Sequence, residues 1–195
     1  SSQAPRFVLN THWHNDHTGG NQHWGSRGSV ILAHTNVRGR MSSRQNVKAL
    51  GMVVEPSPAE ALPVVTFEDS MALHFNGVDI EVQHYPGGHT DGDSVIYFSQ
   101  QNVVHMGDLF FTDRFPFVDV SSGGGVVAYT ANVATVLARI DGQTIVVPGH
   151  GSVANKDDLQ RFHRMLGITI SAVKSALAAG ETVELSLVAE GPGAE

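Results

Sequence analysis

The sequence contains no cysteine among its 195 residues, which excludes disulfide bonds, thiolate metal ligands and a cysteine nucleophile. No run approaches the roughly 20 consecutive apolar residues that a membrane span requires, so we expect no membrane partner. Positive charge is also sparse, since 12 Lys and Arg stand against 19 Asp and Glu, giving a formal net charge of −7. Because nucleic-acid binding normally needs a cationic surface that neutralises phosphates, the composition disfavours a nucleic-acid partner.

Length and composition are those of an ordinary folded protein. With 41% hydrophobic and 16% charged residues, the chain can bury a core, and its length predicts a single domain over residues 1–195. Residues 1–5 have neither the basic nor the apolar segment of a signal peptide. A signal peptide that had already been removed would leave the same sequence, so localisation stays open between the cytoplasm and the periplasm.

Hydrophobic periodicity predicts a mixture of strands and helices. Short apolar runs predict strands at residues 7–9, 30–33, 95–98, 103–106 and 144–147. Helical spacing predicts helices over residues 36–50, 128–140 and 155–179, the last with Asn155 as N-cap and Gly180 at its end. The clearest signal is a hairpin whose strands, residues 71–75 and 78–82, are joined by Asn76-Gly77, which is typical of a type I′ turn. Strand pairs followed by alternating strands and helices predict an α/β layered sandwich.

Metal-capable side chains recur in one setting, the end of an apolar strand beside a glycine or proline turn. Residues 10–17 read N-T-H-W-H-N-D-H, where His12 and His14 point to the same face of an extended chain. Imidazole and carboxylate ligands without thiolate suit zinc, iron or manganese. Seven candidates exceed what one tetrahedral ion needs, so the sequence predicts two ions. The candidates are His12, His14, Asp16, His17, His89, Asp108 and His150.

Four motifs in order carry a family resemblance. The H-x-H-x-D-H run, a later G-H-T, a G-D after a strand and a final P-G-H-G resemble the metallo-β-lactamase superfamily, over residues 8–179. The resemblance implies the αββα sandwich of that family. It also implies that His12, His14 and His89 hold one metal ion, that Asp16, His17 and His150 hold the other, and that Asp108 bridges them.

The resemblance further implies an activity. A hydroxide bridging two zinc ions, with iron or manganese as alternatives, would cleave an ester, thioester, lactone or amide of a small-molecule substrate, and Asp16 could orient the water. Zinc β-lactamases generally place Cys or Ser where Asp108 stands. The bridging Asp instead resembles the glyoxalase II and lactonase branches and bacterial hydrolases, some associated with quinoprotein systems. Too little chain follows His150 for the C-terminal region of glyoxalase II. Two alternatives stay open: a β-lactamase, and a metal-binding protein or fragment without turnover.

One departure from the family concerns the chain's start. The family normally places several strands and a helix before its first motif, whereas this chain reaches His12 almost at once. We therefore expect an N-terminally truncated sandwich with an open sheet edge and an uncovered apolar face. We predict a homodimer that covers the missing strands, with a fragment as the alternative.

The remaining histidines, two further aspartates and several aromatic residues are assigned roles other than metal binding. Structural roles are expected for His23, His74, His84, His105 and His163. His34 is left open between a structural role and support of a metal ligand. Turn roles are expected for Asp91 and Asp93. Core packing and an apolar substrate wall are left open for Trp13, Trp24, Phe110, Phe111, Phe115 and Phe117.

Overall fold

The computed structural model describes residues 4–180, and within this range the chain forms ten β-strands and five α-helices. The strands are β1 (Phe7–Leu9), β2 (Val30–His34), β3 (Gln45–Val47), β4 (Met52–Val54), β5 (Val65–Phe67), β6 (Ser70–Phe75), β7 (Val78–His84), β8 (Ser94–Phe98), β9 (Val103–His105) and β10 (Ile145–Val147). The helices are α1 (Asn15–Thr18), α2 (Asn21–Gly25), α3 (Thr35–Met41), α4 (Val126–Arg139) and α5 (Lys156–Ala178). Both ends of the predicted domain over residues 1–195 lie outside the described residues, so that boundary stays a prediction. None of the helices in residues 4–180 has the length and apolarity that crossing a membrane demands.

Two sheets form the centre of the fold. One is parallel, with the order β1-β2-β5, and the other has the order β10-β9-β8-β7-β6, with β10 and β9 parallel and its remaining pairs antiparallel. Side chains of β8 point alternately to the two faces of its sheet, and their contacts show what covers each face. Val95 and Tyr97 pack towards α4 and α5, whereas Ile96 packs with Phe67 of β5. The layers therefore run helix, sheet, sheet, helix, and the predicted αββα sandwich is confirmed.

Helices α4 and α5 cover the outer face of the five-stranded sheet. Tyr129 and Val133 of α4 and Leu159 of α5 are fully buried there. The Asn155 side chain accepts hydrogen bonds from two backbone N–H groups of the first turn of α5, and Asp158 accepts one from the Asn155 N–H, which completes a capping box. The predicted start and end of this helix are confirmed.

The predicted helix over residues 36–50 is wrong beyond Met41. Helix α3 ends there, and the chain continues as a small antiparallel hairpin of β3 and β4, with Gly51 at φ 60° in its turn. Val47 fits the helical spacing, but it reaches the core from a strand and is buried against Val37 and Met41. Tertiary packing of Val47 therefore overrides the local helical pattern.

The β6–β7 hairpin is confirmed as predicted. Phe75 pairs with Val78, and both turn residues have positive φ, 53° at Asn76 and 73° at Gly77, as a type I′ turn requires. At the other sheet, β1 is an edge strand whose one described neighbour is β2. An open edge at β1 agrees with the expectation drawn from the sequence.

Candidate metal centre

The seven predicted ligands lie on four segments that meet at one edge of the sandwich. Two follow β1, two lie in α1, one lies between β7 and β8, and one each follows β9 and β10. The structure brings them together in three groups whose ligand atoms lie within 4.8 Å of one another. His12, His14 and His89 form the inner group, and Asp16, His17 and His150 form the outer group. His12, His17 and Asp108 form the third group, which joins the other two.

The inner group is buried and converges on one point. His12 is 1% exposed and His89 is 0% exposed. The Nε2 atom of His89 lies 2.8 Å from Nδ1 of His14, and the buried Nε2 of His12 has no hydrogen-bond partner among the described residues. Three ring nitrogens that face one another, one of them buried without a partner, fit a metal cation.

Two histidines of the inner group, His12 and His89, also have pKa values that suit cation binding. Burial, followed by the neighbouring histidines, lowers the pKa of His12 well below its usual value. Burial lowers the pKa of His89 to about 4. Both imidazoles are therefore neutral near pH 7, which is the form that binds metals.

The outer group is more exposed. Oδ2 of Asp16 lies 3.1 Å from Nε2 of His150 and 3.4 Å from Nε2 of His17. The side chain of Asp16 is 55% exposed, and that of His150 is 36% exposed. This group therefore combines two imidazoles and a carboxylate at an open surface, a donor set that also suits a divalent cation.

Asp108 lies between the two groups. Its Oδ1 is 3.0 Å from Nε2 of His17, and its Oδ2 is 3.4 Å from Nε2 of both His89 and His150. Burial raises the pKa of Asp108, but contact with His17 and then His89 outweighs burial, so the pKa lies below its usual value and the carboxylate is ionised. A Cβ atom at Gly149 would lie 2.0 Å from Oδ1 of Asp108, so that position requires glycine.

In each histidine of the inner group, the ring nitrogen that faces away from the other two rings contacts another group. Nδ1 of His89 lies 2.8 Å from the carbonyl oxygen of Phe117, and Nε2 of His14 lies 3.1 Å from Oδ2 of Asp119. Nδ1 of His12 lies 3.2 Å from Oγ1 of Thr11. Such contacts fix the tautomer and orientation of a ligand imidazole.

Asp119 is a site residue that sequence reasoning missed. It is 0% exposed and accepts hydrogen bonds from the Ser121 and Ser122 hydroxyls and from the Ser122 N–H. Burial raises its pKa, but these donors and His14 outweigh burial, so its pKa lies below its usual value. The one signal in the sequence, an Asp two and three residues before serines, indicates a local turn rather than contact with a histidine 105 residues away.

The loop that carries His89 is held at two points. Asp93 accepts hydrogen bonds from the N–H groups of His89 and Thr90 and from the Thr90 hydroxyl, and burial raises its pKa to about 7. Asp91 forms a bidentate ion pair with Arg40 of α3, 2.7 Å at each contact. The turn role predicted for Asp93 is confirmed, and Asp91 additionally ties the loop to α3.

The remaining candidates lie outside the three groups. His34 stacks on His84 with 3.7 Å between ring centroids, and Nδ1 of His105 accepts a hydrogen bond from the Gly107 N–H. His34 thus contacts another histidine rather than a predicted ligand. Among the aromatic residues, Phe110 is core, Phe115 is 67% exposed, and the residues that border the metal-capable groups are Trp13, Phe111 and Phe117.

Known proteins that are similar to this chain include two curated proteins and one solved structure. A hydroxyacylglutathione hydrolase of Polaromonas sp. is 29% identical over 149 residues, which are 76% of this chain and 49% of that protein. A type 2 metallo-beta-lactamase of Bacteroides fragilis is 24% identical over 167 residues, 85% of this chain and 60% of that protein. The chain thus spans about half to three fifths of these curated relatives, 49% and 60%. A solved metallo-beta-lactamase from Pontibacter korlensis shares the fold, with a TM-score of 0.66, 21% identity, and coverage of 82% of this chain and 67% of that one.

The family model described as the metallo-beta-lactamase superfamily matches residues 3–150. The matched range includes all seven predicted ligands, from the first motif to His150. It also covers both sheets of the sandwich. The chain belongs to the metallo-β-lactamase superfamily.

Proposed function

We propose that the chain is a metal-dependent hydrolase that uses two metal ions to cleave an ester, thioester, lactone or amide. The observation that carries the proposal is the position of Asp108, whose carboxylate lies within 3.4 Å of His17, His89 and His150 and so joins the inner and outer groups. A carboxylate between two sets of imidazoles can be shared by a pair of metal ions. The name of the Polaromonas relative, a hydroxyacylglutathione hydrolase, supports thioester cleavage among these reactions.

The ligand atoms follow from the contacts of each ring. In the inner group, His12 and His89 would bind through Nε2, whereas His14 would bind through Nδ1 because its Nε2 faces Asp119. In the outer group, His17 and His150 would bind through Nε2 beside Oδ2 of Asp16. We propose zinc at both positions, with iron or manganese as alternatives that this donor set also accepts.

The chain's own residues have separable tasks. Two bound metal ions would activate a water molecule as the nucleophile and polarise the substrate carbonyl. Asp108 fixes the separation of the two groups from its buried position. Asp16, exposed at the opening, orients the attacking water through its carboxylate and accepts its proton at that carboxylate.

Hydrolysis of a chromogenic ester, with and without chelator, tests the proposal. We expect turnover that chelator abolishes and that added zinc restores. Turnover that is unaffected by complete metal removal would contradict it. Protein with two bound metal ions that cleaves no ester, thioester, lactone or amide would contradict it as well.

A β-lactamase is the second candidate, because proteins named metallo-beta-lactamase are among the similar sequences and structures. A chromogenic cephalosporin assayed beside the ester separates the two, since a β-lactamase would prefer the cephalosporin. The presence of Asp108, where zinc β-lactamases generally place Cys or Ser, favours the ester. A metal-binding protein without turnover would hydrolyse neither compound.

We also propose that the chain forms a homodimer. Strand β1 lies at an open edge of its sheet in the described part of the chain, and Val64 and Val65 near the opposite edge strand are exposed. A second copy that covered these groups would pair the edge and bury the apolar surface. Light scattering should give twice the chain mass, and a stable monomer at micromolar concentration would contradict this proposal.

A further inference from the structure

A cleft of about 380 Å³ opens beside the inner and outer groups. Its walls, apart from residues around the metal-capable groups, are largely apolar. One wall is the β3–β4 hairpin, which contributes Val47, Leu50, Met52 and Val54. The other contains Phe111 and Phe117. We refer to this space as the cleft and to the hairpin side chains as the hairpin wall.

Alternation in the hairpin determines which side chains face the cleft. Met52 pairs with Val47 and Val54 with Gln45, and Met52, Val54 and Val47 line the cleft. Val53, the residue between them, does not line it. Met52 and Val53 are equally exposed, 50% each, so they form a matched pair that differs in direction.

The opposite wall is joined directly to the metal-capable residues. The Phe111 ring stacks on the His150 imidazole, with 4.9 Å between centroids and 18° between planes. The carbonyl oxygen of Phe117 lies 2.8 Å from Nδ1 of His89, which fixes that residue beside the inner group. A substrate whose reacting carbonyl lies at the metal centre therefore has its adjoining part between Phe111, Phe117 and the hairpin wall.

Charge further restricts what the cleft can bind. Among the described residues that line it, none is Lys or Arg. Lys48 lies in the hairpin turn but is exposed and outside the lining. A carboxylate or phosphate on the part of the substrate remote from the metals would be desolvated there without a cationic partner, which is costly.

From these walls we infer that the substrate carries a short, uncharged aliphatic chain beside its reacting carbonyl, and that the hairpin wall selects it. The inference rests on the proposed hydrolase function and narrows its substrate class. The cleft volume of about 380 Å³ lies near the lower end of the roughly 300–1,000 Å³ that small-molecule sites span, which favours a chain of a few carbons over a large conjugate. An uncharged aliphatic chain buries apolar surface against Leu50 and Met52, which are otherwise exposed to water.

Two p-nitrophenyl esters of matched length test the charge preference. The butyrate ends in a methyl group, and the monosuccinate ends in a carboxylate after the same number of carbons. We expect kcat/KM for the butyrate to exceed that for the monosuccinate at least about tenfold, because the carboxylate has no partner in the cleft. From acetate to butyrate, we expect a gain of about fourfold per methylene, which corresponds to about 0.8 kcal/mol. Equal or better hydrolysis of the monosuccinate, or no gain with chain length, would overturn the inference.

A pair of hairpin variants tests whether the hairpin wall sets the preference. Met52→Lys places a cation in the cleft and should shift the butyrate-to-monosuccinate ratio towards the monosuccinate at least about tenfold. Val53→Lys adds the same charge to the same strand, facing away, and should change the ratio less than about twofold. Equal shifts in both variants, or none in Met52→Lys, would overturn the assignment to the hairpin wall.

The controls separate this inference from the function on which it rests. Both variants should keep the metal content of the parent protein, since Met52 and Val53 belong to neither metal-capable group. Chelator-sensitive hydrolysis of all the esters without dependence on chain length or charge would overturn only the inference. Absence of chelator-sensitive hydrolysis of every ester, thioester, lactone and amide assayed would overturn the proposed function and the inference together.

Discussion

The inner and outer groups differ in burial and in support, although each contains at least two histidines. His12 and His89 of the inner group are buried, and each inner ring has a partner on its far side, such as Asp119 for His14. In the outer group, Asp16 is mostly exposed and His150 is partly exposed. The inner group is therefore held in place before any ligand binds, whereas the outer group can adjust.

This difference predicts a division of labour. A prearranged set of imidazoles binds a cation without the entropic cost of ordering the side chains, so the inner position should bind metal more tightly. The outer position opens directly to the cleft through Asp16 and His150. The inner group also borders the cleft, through His14 and His89, but Asp16 and His150 are the more exposed side chains. Water and substrate therefore reach the outer position more readily. Four predictions test this account, from the largest expected effect to the smallest.

Asp108→Ala should have the largest effect, because it removes the one carboxylate within residues 4–180 that contacts both groups. We expect metal content to fall from about two equivalents to one or fewer and ester hydrolysis to fall by on the order of 10³. Elemental analysis and steady-state kinetics measure the two effects. Retention of two tightly bound equivalents would show that the groups do not depend on a shared carboxylate.

His89→Ala and His150→Ala compare the two groups directly. Each should remove about one metal equivalent, but their effects on the metal-free protein should differ. Loss of the buried His89 ring leaves a cavity and should destabilise the fold by about 2–4 kcal/mol, whereas His150→Ala should stay within about 0.5 kcal/mol. Urea unfolding in the presence of chelator measures this difference, and equal destabilisation would contradict the contrast in burial.

Asp119→Asn tests the support of the inner group alone. Weakening the contact to Nε2 of His14 should lower the affinity of the first metal about 10–100-fold and leave the second unchanged. Ser121→Ala, which removes one donor to Asp119 and no contact to His14, is the matched control and should change affinity far less. Competition with a chromophoric chelator gives both constants. An effect confined to the second metal would contradict the assignment of Asp119 to the inner group.

A substitution in the stacked pair of His34 and His84 should have the smallest effect, because this pair lies outside both metal-capable groups. Burial lowers the pKa of both, and each is close to Asp91. Glu68 also faces His34, and Asp69 faces His84. Because the folded-state pKa values lie below the unfolded value of about 6.5, the folded state binds fewer protons, and its stability falls as pH drops below about 6.5.

His84→Gln should therefore lose less stability than the parent when the metal-free proteins go from about pH 7.5 to about pH 5.5. Urea midpoints at the two pH values measure this. Metal content should be unchanged in the variant. An equal or larger loss of stability, or a lost metal equivalent, would contradict the placement of this pair.

The parts of the structure that can be predicted from the sequence are those determined by residues close together in the chain. The β6–β7 hairpin follows from Asn76-Gly77, and helix α5 from its Asn155 cap and regular apolar spacing. The ligand segments are predictable because each joins a strand end to a metal-capable residue, a pattern that needs no knowledge of packing.

The parts that the sequence does not predict depend on contacts between segments that are far apart in the chain. Val47 has helical spacing with Met41 but packs from a strand, so the local pattern predicts helix where the structure has the β3–β4 hairpin that lines the cleft. Asp119 reaches His14 across 105 residues, and its own neighbourhood indicates only a turn. Side chains that support or border the site are therefore harder to predict than its ligands, because their partners are set by the tertiary fold.

Zinc titration of the metal-free chain against a competing chelator is the most direct test of the two-group account. The account predicts two equivalents that bind in sequence, the first clearly tighter than the second because the inner group is prearranged. Asp119→Asn, titrated beside it, should weaken the first step alone. A single equivalent, or two equivalents with indistinguishable affinities that Asp119→Asn weakens equally, would contradict it.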